Sequence, residues 1–370
     1  MKTLIFLLIA FSLYSADKGL VTHTKEGDFE KWLLDEVGIT KVGDGEIALT
    51  YPSFYETWTT IRDLPEPLSD LQALVLNKRL YILGGLSKGN VSISAVYMAN
   101  IQDDGNLSSF IRLAPLPKDL YKHTAFIWDN RLYVVGGSVY YKEKEIEQEK
   151  DHPSKNIYYA KMNKDGTIKE WQEVGSTPFS DGIFSHQTAI IDGWLYLIGG
   201  KEKKENNFTP TNKIYYALID PLGEIKNWKE SQKLLPQTPN GHIAISTNQR
   251  IYVIANDEVY TIKADENKGE IKEMTTTNIS YTLQNGGGII RGSSIYYFGG
   301  IIDGEGTSSA ISARINPDGG ITGFSPTISL PEITTNHSIA RYKDFVYIIG
   351  GKDKEGNLKT TIYCTRLKKI

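Results

Sequence analysis

Apolar residues along this chain come in short runs divided by turn-forming Gly, Asp and Asn. One run recurs six times: an aliphatic residue, Tyr, two apolar residues and then, in five copies, Gly-Gly. The copies begin at Leu80, Leu132, Leu195, Ile251, Ile295 and Val346, and the fourth ends in Ala255-Asn256 instead of Gly-Gly. A period of roughly 50 residues predicts a radial array of small sheets rather than one continuous core. The nearly unbroken apolar character of this Tyr-bearing strand, strand b, predicts burial on both faces.

Each unit extends in both directions. Upstream lies a short apolar strand a: 73–76, 124–128, 188–191, 243–246, 288–290 and 338–341. Downstream, after a loop of variable length, comes strand c: 96–101, 157–162, 214–219, 259–263, 310–315 and 362–367. A turn follows at Asp104-Gly105, Asp165-Gly166, Leu222-Gly223, Lys268-Gly269 and Asp318-Gly319. Gly takes up positive φ there without steric penalty, which favours a hairpin into strand d. Strand d carries an aromatic residue (Phe110, Trp171, Trp228, Phe324), replaced by Met274 in the fourth unit. The sixth unit stops after strand c. The segment Glu56 to Ile61 around Trp58 is a strand d without its own a, b and c. It is expected to complete the last sheet and close the ring, removing free edges.

The apolar-Tyr-x-x-Gly-Gly strand and the downstream Trp resemble the kelch-repeat β-propeller family over residues 54–370. The resemblance implies an all-β, six-bladed propeller whose last blade is closed by an N-terminal strand. The fixed repeat position of Tyr81, Tyr133, Tyr196, Tyr252, Tyr296 and Tyr347 argues for structural residues packed between blades with their hydroxyls bonded to backbone, and Trp58, Trp171 and Trp228 are expected to be structural too, lying against neighbouring blades.

The rest of the chain divides simply. Lys2 followed by an apolar stretch, Leu4 to Tyr14, and the small Ser15-Ala16 reads as a signal peptide over 1–16. Residues 17–53 form a short extension, either a small β element or an irregular linker. These features predict an exported protein, periplasmic or at the cell surface, with no transmembrane segment and a monomeric state. A net charge of −3 gives no basic field for nucleic acid. The single cysteine, Cys364, allows no internal disulfide.

Candidate chemistry is sparse. In a four-stranded meander the d–a and b–c loops open on one face, where binding normally sits. Those loops are 64–70, 116–122, 177–185, 235–241, 279–285 and 331–336, and 86–94, 138–156, 201–212, 256–258, 301–308 and 352–359. His123, His186, His242 and His337 share one repeat position at the start of strand a. They read as channel-mouth binding groups or as structural histidines bonded to neighbouring backbone. Tyr140, Tyr141 and Asp181 are rim-loop candidates, the two tyrosines within loop 138–156, which with loop 201–212 is charge-rich and expected to be solvated and mobile. Ligands spread around a wide channel cannot meet one metal ion at about 2 Å, so neither metal nor cofactor is expected. Copper-oxidase and sialidase readings lack their motifs. Two readings remain: a binding protein that holds a protein or glycan partner on the loop face, and a carbohydrate mutarotase or epimerase. The second follows from a distant similarity to exported propellers that mutarotate sialic acid.

Overall fold

The computed structural model describes residues 39–42, 46–49, 57–143, 148–204 and 207–367. The chain forms two compact units, residues 1–56 with 367–370, and Thr57–Arg366. In the first, Ile39–Val42 pairs antiparallel with Glu46–Leu49. The predicted leader, 1–16, lies outside the described residues.

The second unit is all-β; its described residues contain no helix. Six sheets follow one plan, strands a to d in antiparallel order. Sheet 1 runs Gln72–Leu76, Arg79–Leu83, Val96–Asn100 and Ile111–Arg112. Sheet 2 runs Thr124–Trp128, Arg131–Val135, Asn156–Met162 and Ile168–Ser176. Sheet 3 runs Gln187–Ile191, Trp194–Ile198, Ile214–Leu218 and Lys229–Glu230. Sheet 5 runs Gly287–Arg291, Ser294–Phe298, Ala310–Arg314 and Ser325–Pro326. In sheet 6, Ser338–Tyr342, Phe345–Ile349 and Thr361–Arg366 are joined by Thr59–Asp63 from the other end of the chain. That last pairing sets Thr59 opposite Cys364. Trp58 meets Phe298 of sheet 5 edge to face, with centroids 5.8 Å apart.

Sheet 4 departs from the expected outline. Strands b and c form one continuous run, Arg250–Ala264, whose first half pairs with Ile243–Ser246 and whose second half pairs with Ile271–Gln284. The expected d–a loop at 279–285 is mostly strand, because Ile271–Gln284 continues to pair with Ile301–Ile302. A run of Thr, Asn and Ser reads as a loop by composition, but these residues sit on a ladder with apolar Ile279 and Leu283 buried beneath it. The b–c connections of sheets 2 and 3 are likewise not loops. Ser138–Glu143 pairs with Gln148–Pro153, and Lys201–Lys204 pairs with Asn207–Pro210.

Apolar cores lie between consecutive sheets. Tyr81 and Leu83 of sheet 1 pack with Leu132 and Val134 of sheet 2. Tyr133 and Val135 pack with Leu195 and Leu197, Tyr196 and Ile198 with Ile251 and Val253, and Tyr252 and Ile254 with Ile295 and Tyr297. Leu80 and Ile82 share a core with Tyr347 and Ile349 of sheet 6. Strand b therefore sends alternate side chains to the sheets on its two sides, which is why its sequence is apolar at every position. Each fully buried side chain of this size contributes about 1.5–3 kcal/mol, so the inter-sheet cores dominate the stability of the ring. The first strands neighbour one another in a closed cycle, strand a of sheet 6 lying beside strand a of sheet 1.

Tyrosine hydroxyls tie each sheet to the next. Tyr81, Tyr133, Tyr196 and Tyr252 donate to the carbonyls of Gly166, Gly223, Gly269 and Gly319, in the c–d turn of the following sheet. Tyr347 donates to Gly105 of sheet 1 at 2.9 Å. Trp171 and Trp228 donate to the carbonyls of Ala114 and Ser176 in the preceding sheets. Arg250 reaches the Asp318 carbonyl with Nη2 at 2.6 Å, so it serves this same inter-sheet seam, away from the loop face.

Candidate functional site

The six first strands enclose a channel of about 480 Å³. Its mouth is marked by one residue per sheet: Asp70, Lys122, Ser185, Gly241, Asn285 and Asn336. All six have left-handed φ, between 49° and 60°. Their backbones form a belt. Lys122 N–H donates to the Asp70 carbonyl, Ser185 to Lys122, Asn285 to Gly241, Asn336 to Asn285 and Asp70 to Asn336, at 2.7–3.1 Å. Non-glycine residues take this conformation only when surrounding structure holds them there, and the belt supplies that hold. Asn336 Nδ2 donates to Asp70 Oδ1 at 2.8 Å, and Ser69 Oγ donates to Asp70 Oδ2 at 2.9 Å.

The four histidines stand one residue beyond the belt and border the channel, yet their side chains turn into the seams between sheets. They are 1%, 1%, 3% and 8% exposed for His123, His186, His242 and His337. His242 Nε2 lies 2.9 Å from the Ile198 carbonyl, the last residue of strand b in the preceding sheet. The Leu83 and Val135 carbonyls hold the corresponding places for His123 and His186, and His186 Nε2 is 3.0 Å from Thr124 Oγ1. Burial pushes the imidazoles down to about 4 for His123, His242 and His337 and about 3 for His186. They are neutral at pH 7; Nε2 of His242 and of His186 have the partners given, whereas neither ring nitrogen of His123 or His337 meets one at hydrogen-bond geometry among the described residues. Among the described residues no group of three or more His, Cys, Asp or Glu is placed to hold a metal ion.

The d–a and b–c connections meet on one face. Backbone bridges join Ser69 to Leu86, Tyr121 to Ser138 and Thr335 to Lys352. On sheets 1 to 3 this face is raised by hairpins. The hairpin Leu86–Ser87/Val91–Ser92 supports the longer one at 138–153: Tyr140 N–H donates to Ser92 Oγ at 2.9 Å. Tyr140 is half-buried, its ring 5.5 Å from that of Tyr121, whose hydroxyl donates to Asp151 Oδ1. Tyr140 is thus seated in the fold rather than carried on a mobile loop. The Tyr141 side chain lies outside the described residues. Asp181 is exposed and accepts only from Ser180 Oγ at 3.3 Å among the described residues. The structure does not bring Asp181 together with the buried imidazoles of a shared centre. Two acid anchors escaped the sequence reading. Glu66 accepts from Tyr97 and Ser87, and Glu332 accepts from Tyr363 and pairs with the buried Lys359 at 2.6 Å. Both follow a Leu-Pro pair, Leu64-Pro65 and Leu330-Pro331, a spacing that could have marked them.

No family model matches the chain. Among curated proteins it is similar to kelch repeat and BTB domain-containing protein 2 of ectromelia virus (strain Moscow), 23% identical over 229 residues, 57% of this chain and 35% of that protein. It is also similar to kelch-like protein 40b of Danio rerio, 27% identical over 39% of this chain and 19% of the relative. Kelch-like protein 23 of Mus musculus is 23% identical over 52% of this chain and 29% of the relative. The chain therefore spans about a third or less of the length of these relatives. Among solved structures, YjhT superposes with a TM-score of 0.63 at 15% identity, covering 82% of this chain and 96% of that one, a likeness of fold. The repeated strand, the inter-sheet tyrosines and these similarities show a β-propeller fold like that of kelch-repeat proteins.

Proposed function

We propose that this protein is a binding module that holds a protein or glycan partner on the face shared by its d–a and b–c connections. The observation that carries the reading is the bridging of those connections into one surface, with hairpins built up on sheets 1 to 3 and the half-buried Tyr140 among them. Rigid scaffolds with elaborated connections are where recognition is usually placed. The names of the similar proteins are consistent with an interaction role. Export through residues 1–16 belongs to the same proposal, and places the partner in the periplasm or at the cell surface. N-terminal sequencing of the protein recovered from cell fractions tests it. The binding test is capture from an extracellular extract, alongside a glycan array, with the intact chain and with Tyr140→Ala. Equal capture by both chains would contradict the loop face as the site.

The channel of about 480 Å³ favours a second reading, a mutarotase or epimerase acting on a sugar such as sialic acid. Pockets of this size suit small ligands. The reading would need proton transfer at the channel wall, where the imidazoles are nearly inaccessible and neutral. NMR exchange between anomers, accelerated by the protein and lost in His186→Ala and His337→Ala variants that remain folded, would establish it. Unaccelerated exchange leaves the binding module.

A further inference from the structure

The belt at the channel mouth is broken at one place. Five of its six cross-sheet hydrogen bonds are made; between sheets 3 and 4, no bond joins Gly241 N–H to the Ser185 carbonyl among the described residues. A second ring of bonds fails at the same junction. Gly85, Gly137, Gly300 and Gly351 each donate N–H to a d–a carbonyl of the next sheet: Leu120, Ile183, Thr334 and Leu68. The corresponding bond from Gly200 to Pro239 is not made. On the sheet 4 side of this junction the Pro239 ring lies against Gly199, 2.7 Å from where a Cβ there would lie. The adjoining b–c connection is also replaced by the continuous strand Arg250–Ala264.

The break changes the shape and chemistry of the channel. Only here does its lining spread beyond the belt and strand a, to Gly200, Lys201, Pro239 and Asn240. Lys201 is half-buried and has no carboxylate partner among the described residues. Half-buried polar backbone without partners is unfavourable unless something satisfies it. Two N–H donors and an ammonium group together favour an anion with two acceptor oxygens. We infer that the junction of sheets 3 and 4 is a binding niche for a small carboxylate, held by Gly200 N–H, Gly241 N–H and Lys201. Hydroxyl groups on the same ligand would serve the Ser185 and Pro239 carbonyls. This goes beyond the loop-face reading, since it concerns the channel wall and a small ligand rather than a macromolecular partner.

The test uses the full chain uniformly labelled with ¹⁵N, titrated with glucuronate and, in parallel, with glucose and with inorganic phosphate. Glucuronate is expected to move the Gly200 and Gly241 amide signals and to leave Gly85 and Gly351 in place, and glucose to move none of them. Lys201→Gln should weaken glucuronate binding about tenfold, and Lys201→Arg should restore most of it. Without ligand, the Gly241 amide should exchange with solvent faster than those of Asn285 and Asn336. The inference is overturned if glucuronate moves neither amide, if glucose or inorganic phosphate moves them equally, if Lys201→Gln is without effect, or if Gly241 is as protected as Asn285.

Discussion

A Cβ on Gly136 would lie 2.8 Å from Cε1 of His186 and 2.7 Å from the Ile183 carbonyl oxygen. The glycine and the histidine belong to consecutive sheets, and each needs the other's shape. The same approach recurs between Gly84 and His123, Gly199 and His242, and Gly299 and His337, at 3.0–3.1 Å. Two sheets lack the histidine: in sheet 1 Leu71 stands there, 3.4 Å from where a Cβ on Gly350 would lie, so that glycine is kept against the Leu68 carbonyl rather than a histidine, and the other is sheet 5. Sheet 5 has Gly286 where the histidine would stand, and the preceding sheet carries Ala255 where the glycine would stand. Tyr297 fills the space instead, its hydroxyl accepting from Gly286 N–H at 3.0 Å. The irregular fourth repeat is thus a compensated pair.

This pairing predicts opposite sensitivities for equivalent positions. Gly136→Ala places a Cβ against backbone at φ +59° and should destabilise the fold by about 2 kcal/mol or more. Ala255→Gly, with no histidine above it, should lose no more than about 1 kcal/mol. Urea denaturation of the two variants checks this, and equal losses would refute the pairing.

The inter-sheet tyrosines predict a smaller, uniform effect. Tyr196→Phe removes the buried hydroxyl that donates to the Gly269 carbonyl at 2.8 Å and leaves that acceptor unpaired. The expected loss is about 1–2 kcal/mol, and Tyr347→Phe, which frees Gly105, should match it. Midpoint shifts in urea at constant slope would be the readout.

The buried histidines predict acid sensitivity. Their folded-state values lie near 3 to 4, below the ordinary 6.5, because burial disfavours the charged ring. Between those values and 6.5 the unfolded chain binds more protons, so stability rises with pH there. The contribution is fully present above about pH 6.5 and is lost as pH falls toward 4, with a slope approaching about four protons near pH 5. Urea midpoints at pH 7.5 and pH 5 measure it. His186→Gln should reduce the difference between them by about one proton's worth of slope.

Strand order was legible in the sequence because strand b packs against two neighbours and must be apolar throughout, so its period survives in the letters. Trp58 was readable as a displaced strand d for the same reason: the sixth unit lacked one. The hairpins at 138–153 and 201–210 were not legible. Their Lys and Glu residues look like a solvated loop, whereas backbone pairing, with Tyr140 N–H on Ser92 Oγ, holds the first of them. The histidines' position was visible, but their direction was not, since it depends on glycines in the neighbouring sheet. The break beside Gly241 lies beyond any pattern of residue types, because it is a pair of hydrogen bonds absent between strands distant in sequence.

The central claim is a ring closed by joining the two ends of the propeller unit, with Thr59 facing Cys364 across an antiparallel pair. Cys364 is the only cysteine, so Thr59→Cys creates a chain with two thiols on the same face of neighbouring strands. Under mild oxidation it should form an intramolecular disulfide, seen as the loss of both free thiols in a monomeric species. Thr60→Cys, whose side chain alternates to the other face, should keep both thiols. Free thiols in Thr59→Cys, or equal crosslinking in Thr60→Cys, would contradict the closure.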